Sequence, residues 1–318
     1  MGTMYTYTAR RVLLTIPVLI GAALVVFLAL HLAPGDPAEL LIGVGDHVTE
    51  ESVAELRTQL GLDRPLPVQF GDFLWRAVRL DFGRSISTNE VIGTALLIRY
   101  RATLELASTA LLLSVLIAIP IGMISAIRRD TFIDHLVRMI ALTGICSPSF
   151  WVGIMFMLLF SLRLGWLPVT GRGGTLLSLE GLRHLVLPAV TLGLVSASLI
   201  ARLTRSNMLE VLRKDYIRTA RSKGLSERVT IYKHALKNAL LPVITVLGLN
   251  FGQLLAGAVV VERVFAWPGI GQFLLNGINT RDFIVVQSTV LAVSVTFVVI
   301  NLVVDIFYGL LDPRISYN

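Results

Sequence analysis

One cysteine stands among the 318 residues, Cys146, inside an apolar run. That excludes a disulfide framework within the chain and any Cys-x-x-Cys site, and it leaves the compartment unmarked. Lysine is nearly as scarce. The four present, Lys214, Lys223, Lys233 and Lys237, follow Arg213, Ser222, Tyr232 and Leu236. A phosphate-cradling P-loop needs glycine before its lysine, so the chain does not hydrolyse ATP by that route. The five histidines, His31, His47, His135, His184 and His234, are scattered without ligand spacing, and there is no HExxH and no Gly-x-Ser-x-Gly elbow. No catalytic residue and no metal site emerges. Charge is thin as well, at 15% of residues.

What fills the chain is apolar. Hydrophobic residues make up 54% and the mean hydropathy is +0.75, too apolar for a soluble domain of this size. The pattern predicts an all-α polytopic membrane protein. A first run, Val12 to Leu32, follows Arg10 and Arg11 and has about the 20 residues needed to cross a bilayer. A cleaved signal peptide is the competing reading, but the run is long for one and no A-x-A site follows. Five more spans are predicted at Leu104 to Ile127, Val137 to Leu162, Leu185 to Ile200, Val243 to Val261 and Ile284 to Leu310, the fourth of these six being the shortest. Six helices place both termini on the same side, inside by the bias of arginine and lysine. The net charge of +7 follows from that bias, since the arginines gather at helix ends and in one loop; no nucleic-acid partner is needed to explain it. The organisation predicted is helix 1 with the N-terminus over 1–32, a small extracytoplasmic insertion over 33–103, a five-helix core over 104–310 and a cytoplasmic tail over 311–318.

Within the core lies one polar island, Arg202 to Pro242. Ten basic residues (Arg202, Arg205, Arg213, Lys214, Arg218, Arg221, Lys223, Arg228, Lys233, Lys237) face three acidic ones (Glu210, Asp215, Glu227), the asymmetry of a cytoplasmic loop. Two short helices are predicted in it: one over Met208 to Ser222, ended by Gly224 in the left-handed conformation, and one capped by Ser226 with an apolar stripe of Val229, Tyr232, Leu236 and Leu240. Such an island is either a solvated connector or a surface on which another protein docks.

Arg218-Thr219-Ala220, with Gly224 four residues after Ala220 and Leu241-Pro242 beyond, resembles the "EAA" loop of ATP-binding-cassette importer permeases, in the form used by the dipeptide, oligopeptide, glutathione and nickel group. It departs from the general pattern, which starts Glu-Ala-Ala and has a shorter spacing from the glycine to the proline. Pro34-Gly35-Asp36-Pro37 and Gly61-Leu62-Asp63-Arg64-Pro65 are similar to motifs after helix 1 in the first permease subunit of that group. Glu262 to Gly271 and the tail Leu311-Asp312-Pro313-Arg314 extend the resemblance along the chain, and the runs from Phe251 to Gly271 and Asn301 to Tyr308 look closest to glutathione-type permeases.

The resemblance implies a six-helix permease of the type I ABC importer fold in the cytoplasmic (inner) membrane of a bacterium. Its partners would be a second homologous permease, two cytoplasmic ATPase subunits and an extracytoplasmic solute-binding protein. The cargo would be di- or oligopeptide, with glutathione, nickel chelates and oligosaccharides as alternatives. This chain would carry no cofactor; ATP and Mg would be bound by the ATPases. Arg218, Thr219, Ala220, Lys223, Gly224 and Leu225 are the implied ATPase-coupling residues.

Polar residues inside spans are costly unless they meet partners or a water-filled path. Asn250 and Gln253 share a helix face, as do Ser294, Asn301 and Asp305; the first four are candidates for the translocation path, and Asp305 reads as an interfacial anchor. Glu105, near the outer end of its span, reads the same way. The small residues Gly248, Gly252 and Ala256 read as helix packing, Trp267 suits a membrane interface, and Cys146-Ser147-Pro148-Ser149 predicts a kink. An ATP-independent secondary transporter would need a charged relay at mid-membrane, and a channel would need a filter segment; neither is found in the sequence.

Overall fold

The computed structural model describes residues 2–32, 63–176 and 178–311, with short pieces between 53 and 61. The Pro34–Pro37 motif, most of the amphipathic piece from Glu50 to Leu60 and the tail beyond Leu311 lie outside the described residues, as do the side chains of 305 and 307–311. Ten helices carry the description: α1 (Gly2–His31), α2 (Leu66–Val78), α3 (Ile92–Ile127), α4 (Phe132–Cys146), α5 (Ser149–Phe156), α6 (Leu179–Leu212), α7 (Asp215–Ser222), α8 (Glu227–Val264), α9 (Ile270–Asn279) and α10 (Phe283–Leu311). Five of them, α1, α3, α6, α8 and α10, are long and apolar enough to cross a bilayer. The pair α4 and α5, the latter prolonged by a π-helical turn over Met157–Arg163, is apolar enough to count as one more span, but the chain bends by 109° between its arms, the geometry of a broken span or of a re-entrant loop. The break falls at the predicted Cys146–Ser149 kink: Pro148 has no N–H to continue the ladder, and Ser147 leaves it in an extended conformation (ψ 129°).

Span boundaries shift outward. Helix α3 begins at Ile92 rather than Leu104, because Ile92, Ala95 and Leu96 are buried and continue the apolar face of the span into the segment assigned to the insertion. The span predicted to be shortest is instead 34 residues long, Leu179–Leu212. Hydropathy alone misses its polar ends; tertiary packing keeps them helical.

By its contacts the chain divides into two compact units, 1–101 with 269–318, and 102–268. In the first, α1 packs along α10, and α9 against α10. Phe27 of α1 stacks near Phe70 and Phe73 of α2, and His31 Nε2 lies 3.0 Å from Gln69 Oε1. Ile92, Ala95, Leu96, Phe273 and Val285 form its apolar core. Beside that core, buried Asp282 accepts hydrogen bonds from the hydroxyls of Ser85 and Ser87 and from the backbone N–H of Ile86 and Ser87.

In the second unit α6 is the central element, packed by α4, α5 and α8. Glycines set the close approaches. A Cβ at Gly122 or Gly193 would collide with the backbone of Ala201 or Ala110, and one at Gly144 with the Ser198 hydroxyl. These glycines bring backbones together; of the predicted small-residue stripe Gly252 is buried, Gly248 half-buried, and Ala256 faces outward. The largest buried side chain is Trp267, 2% exposed, whose Nε1–H donates to Ala102 O at 2.8 Å. Trp267 is therefore a core residue and not an interfacial one: its one polar atom finds a backbone partner inside. Two carboxylates next to it are also internal. Glu262 accepts from Thr103 Oγ1 at 2.6 Å, and Glu105 pairs with Arg172 at 2.6 Å instead of anchoring in the interface.

Candidate functional site

The predicted helix Met208–Ser222 is two helices. Lys214 takes an extended conformation (φ −69°, ψ 147°) between α6 and α7, so that α7 leaves the direction of α6. Asp215 in the first turn of α7 favours its positive end. In this eight-residue helix, Ile217 and Ala220 are buried. Ile217 packs in one cluster with Met123, Ala126, Met208, Ala235 and Ala239. A helix this short is unstable alone, and its shape here comes from that packing.

Its end follows the Schellman pattern. Gly224, at φ +79°, donates to Arg221 O at 2.9 Å while Leu225 N donates to Ala220 O at 3.4 Å. The predicted left-handed glycine is thus present, and it turns the chain back into α8. Ser226 stands at the head of α8 but makes no side-chain cap; its carbonyl accepts from Thr230 N instead. A π-helical turn follows at Thr230–Leu236. With five residues per hydrogen-bonded step instead of four, it centres the buried face on Thr230, Ala235 and Ala239, with Leu236 and Leu240 of the predicted stripe packed half-buried beside them. Val229 and Tyr232 are left outside, 37% and 58% exposed.

Residues 221–229 are exposed without a break, as are Arg218 and Thr219. Of the six predicted coupling residues, Arg218, Thr219, Lys223, Gly224 and Leu225 therefore share an open surface, and Ala220 holds the helix to the bundle. Arg218 pairs with Asp215 at 3.2 Å and Arg221 with Glu227 at 2.8 Å. Lys223 has no acidic partner among the described residues. Tyr216, Leu225, Val229 and Tyr232 place exposed apolar area around these charges. Mixed apolar and basic surface on a rigid turn suits a protein partner.

One constellation in the same unit is not anticipated by the sequence pattern. Asp134, at the start of α4, is fully buried. It accepts two hydrogen bonds of 2.7 Å from the Arg205 guanidinium, one of 2.5 Å from Ser125 Oγ and one of 3.0 Å from the Asp130 N–H. Three helices, α3, α4 and α6, are tied at one carboxylate. The signal available in sequence was a lone acid three residues before a predicted span with one buried-side arginine to match; hydropathy placed it outside the span and gave it no weight.

The predicted path residues separate. Asn250 of α8 is buried, with its Oδ1 3.4 Å from Ser196 Oγ of α6 and its Nδ2 without a hydrogen-bond partner. Gln253, one turn on, is exposed. In α10, Ser294 returns its hydroxyl to Val290 O and Asn301 is half-buried.

Residues 118–317 match the model of the binding-protein-dependent transport system inner membrane component, and residues 4–107 that of its N-terminal region. The chain belongs to this family. As a permease subunit it is non-catalytic, with ATP hydrolysis residing in a separate subunit, and it sits in the inner membrane. It is 42% identical to the dipeptide transport system permease protein DppB of Alkalihalophilus pseudofirmus, over 99% of this chain and 100% of that one. Identity to the di/tripeptide transport system permease protein DppB of Pseudomonas aeruginosa is 43%, with the same coverage of both chains. The glutathione transport system permease protein GsiC of Salmonella typhimurium is 42% identical, again over 99% and 100%. Among solved structures, the MetNI methionine ABC transporter in inward-facing conformations superposes with a TM-score of 0.55 at 17% identity, covering 68% of this chain and 96% of that one. An amino acid ABC transporter superposes at 0.54 and 13%, covering 68% and 94%. These structures share the type I importer fold with the permease described here.

Proposed function

We propose that this chain is the first of two homologous permeases in a peptide importer, and that α7 with its Gly224 turn is the surface through which a cytoplasmic ATPase drives it. Two ATPases, each with ATP and Mg, and an extracytoplasmic solute-binding protein complete the machine; di- or oligopeptide, glutathione included, is the cargo. Both termini lie in the cytoplasm of the bacterium. Full-length identity above 40% to permeases named for dipeptide, di/tripeptide and glutathione transport supports the cargo class. The observation that carries the coupling role is the combination in α7 and the turn after it: a helix face seated in the bundle through Ile217 and Ala220, and an open surface bearing Arg218, Lys223 and Leu225.

Force on that open surface passes through Ile217 to α3, α6 and α8 together, because all three contribute to the cluster that seats it. Closure of the ATPases thereby becomes a rigid-body movement of packed helices. Asn250, Gln253, Ser294 and Asn301 are assigned to the path. The unpartnered Asn250 amide supports this for one of them, since a buried donor left without a partner is available to passing cargo or water.

The test is to purify the tagged chain in mild detergent and identify what accompanies it. A second permease and P-loop ATPases, with ATP turnover that rises on adding the binding protein and a peptide, is the expected result. A homo-oligomer free of ATPase would overturn the proposal.

A further inference from the structure

Three cavities run end to end along α4, and their linings change character in one direction. At the N-terminal end of α4 a space of about 600 Å³ is lined by Arg129, Arg138, Arg205, Arg213 and Lys214 with Asp130 and Glu210. Arg138 and Arg205 also line the next, of about 310 Å³, where Arg202 joins them and the remaining wall is Val137, Ala141, Leu142, Ile145 and Ala201. Leu142 leads into the third, about 570 Å³, bounded by Cys146, Pro148, Phe150 and Trp151. The lining thus passes from mostly ionic, through mixed, to mostly apolar.

Charge at the ionic end is not balanced. Arg129 pairs with Asp130 at 3.0 Å, Lys214 with Glu210 at 2.9 Å and Arg205 with Asp134 at 2.7 Å. Arg138 donates to neutral His135 Nδ1 at 2.7 Å and among acids reaches the already engaged Asp134, at 3.7 Å, and Arg213 has no acidic partner among the described residues. Five cations against Asp130, Asp134 and Glu210 leave a surplus of two, and exposed Arg202 next door adds a third. Alongside, α4 turns Phe132, Met139 and Ile140 outward, each more than half exposed, the composition of a lipid-facing side. Fifteen residues of helix measure about 22 Å, close to one leaflet's hydrocarbon of about 15 Å plus a head group.

We propose that this groove between α4 and α6 is a binding site for an anionic phospholipid of the inner leaflet, its phosphate among Arg129, Arg138 and Arg213 and an acyl chain along Val137, Ala141 and Leu142. Placement in that leaflet rests on the cytoplasmic position of α7 proposed above, whose N-cap Lys214 lines the cavity. A free phosphate would use the ionic end alone and leave the apolar groove without an occupant; an acidic protein segment would likewise not need it. Arginine clusters at membrane–water boundaries recognise anionic head groups in this manner. A lipid seated here touches α4, the helix tied to α3 and α6 by Asp134, and sits one residue from the start of α7.

The experiment takes the intact importer complex, delipidated in mild detergent, and counts bound lipid by native mass spectrometry. Phosphatidylglycerol and phosphatidylethanolamine with identical acyl chains are compared, with inorganic phosphate as competitor. The expected result is retention of phosphatidylglycerol over phosphatidylethanolamine, lost by about fivefold for each of Arg129→Gln and Arg213→Gln. Both arginines are exposed, so the variants fold. Ala141→Trp, which fills the groove, should weaken both lipids with all charges kept. Equal retention of the two lipids, or displacement of phosphatidylglycerol by millimolar phosphate, would overturn the proposal; so would absence of lipid in the complex when the isolated chain binds it, since a partner subunit would then cover the groove. Impermeant thiol labelling of Ser206→Cys separates the two readings: labelling from outside the cell would reverse the orientation proposed above while lipid retention still stood.

Discussion

Asp282 receives the hydroxyl hydrogen of Ser85 at 2.7 Å across 197 residues of sequence, and the N–H groups of Ile86, Ser87 and Val285 converge on the same carboxylate. One buried acid thus closes the 85–88 turn onto the start of α10. Burial pushes its carboxyl upward, yet these hydrogen bonds to the ionised form outweigh it and hold the group below the usual carboxylate range. A folded value below the unfolded one means the contribution is complete above the ordinary carboxylate pKa and is lost as pH falls through the folded value. Amide protection at residues 85–88, the exchange rate relative to the intrinsic rate at each pH, should therefore stay high at neutral pH and fall only in acid. In Asp282→Asn the protection, taken relative to the intrinsic exchange rate at each pH, should be low at neutral pH and show no further loss in acid; an unchanged profile would remove Asp282 from the role of latch.

The Asp134 and Arg205 pair is the second stability determinant. Removing either partner strands a buried charge, so Asp134→Ala and Arg205→Ala should each cost about 3–5 kcal/mol. Asp134→Leu with Arg205→Met should recover most of that loss, because no ion remains to be desolvated. Thermal unfolding of the three variants in detergent checks it, and additive losses in the double variant would contradict it.

Gly224 separates coupling from folding. Gly224→Ala keeps the hydrogen bond to Arg221 O and forces a side chain into the left-handed region at a cost of about 1 kcal/mol. Gly224→Pro removes the N–H and cannot take a positive φ. Uptake should fall partially in the first and disappear in the second, with membrane insertion unchanged in both. Retained uptake in Gly224→Pro would argue against α7 as the ATPase contact.

Asn250→Leu should stabilise the chain by about 1 kcal/mol, since it replaces a buried amide donor that has no partner. The same change should reduce peptide uptake. Greater stability with unaltered uptake kinetics would make Asn250 a packing defect and not part of the path. Gln253→Leu is exposed and should leave stability within about 0.5 kcal/mol.

The spans, the kink and the Gly224 turn were legible from hydropathy and from the two residue types, proline and glycine, that force a conformation. What escaped depends on partners far away in sequence. Trp267 looks interfacial until Ala102 supplies an acceptor for its indole; Glu105 looks solvated until Arg172 arrives 67 residues later. The stripe of Val229, Tyr232, Leu236 and Leu240 assumed 3.6 residues per turn, and the π-helical turn at Thr230–Leu236 breaks that assumption without any glycine or proline to announce it. Asp134 fell just beyond a hydropathy window whose edge had no physical meaning. The candidate coupling residues were legible because an exposed turn is specified locally, while the roles of Asn250 and Gln253 diverge through the fold's choice of which half-turn of α8 meets α6.

The 109° elbow between α4 and α5 sets an order for biogenesis. Each arm has fifteen residues, Phe132–Cys146 and Ser149–Arg163, short of the roughly twenty that a solitary segment needs to be released into lipid. The elbow also leaves polar backbone between Cys146 and Ser149 that hydrocarbon will not tolerate. Both arms rest on α6, which emerges from the ribosome later. The nascent chain must then hold this hairpin at the translocon, or at the bilayer surface, until α6 is made, so a stop placed before Leu179 should yield a product that is extracted from the membrane and degraded.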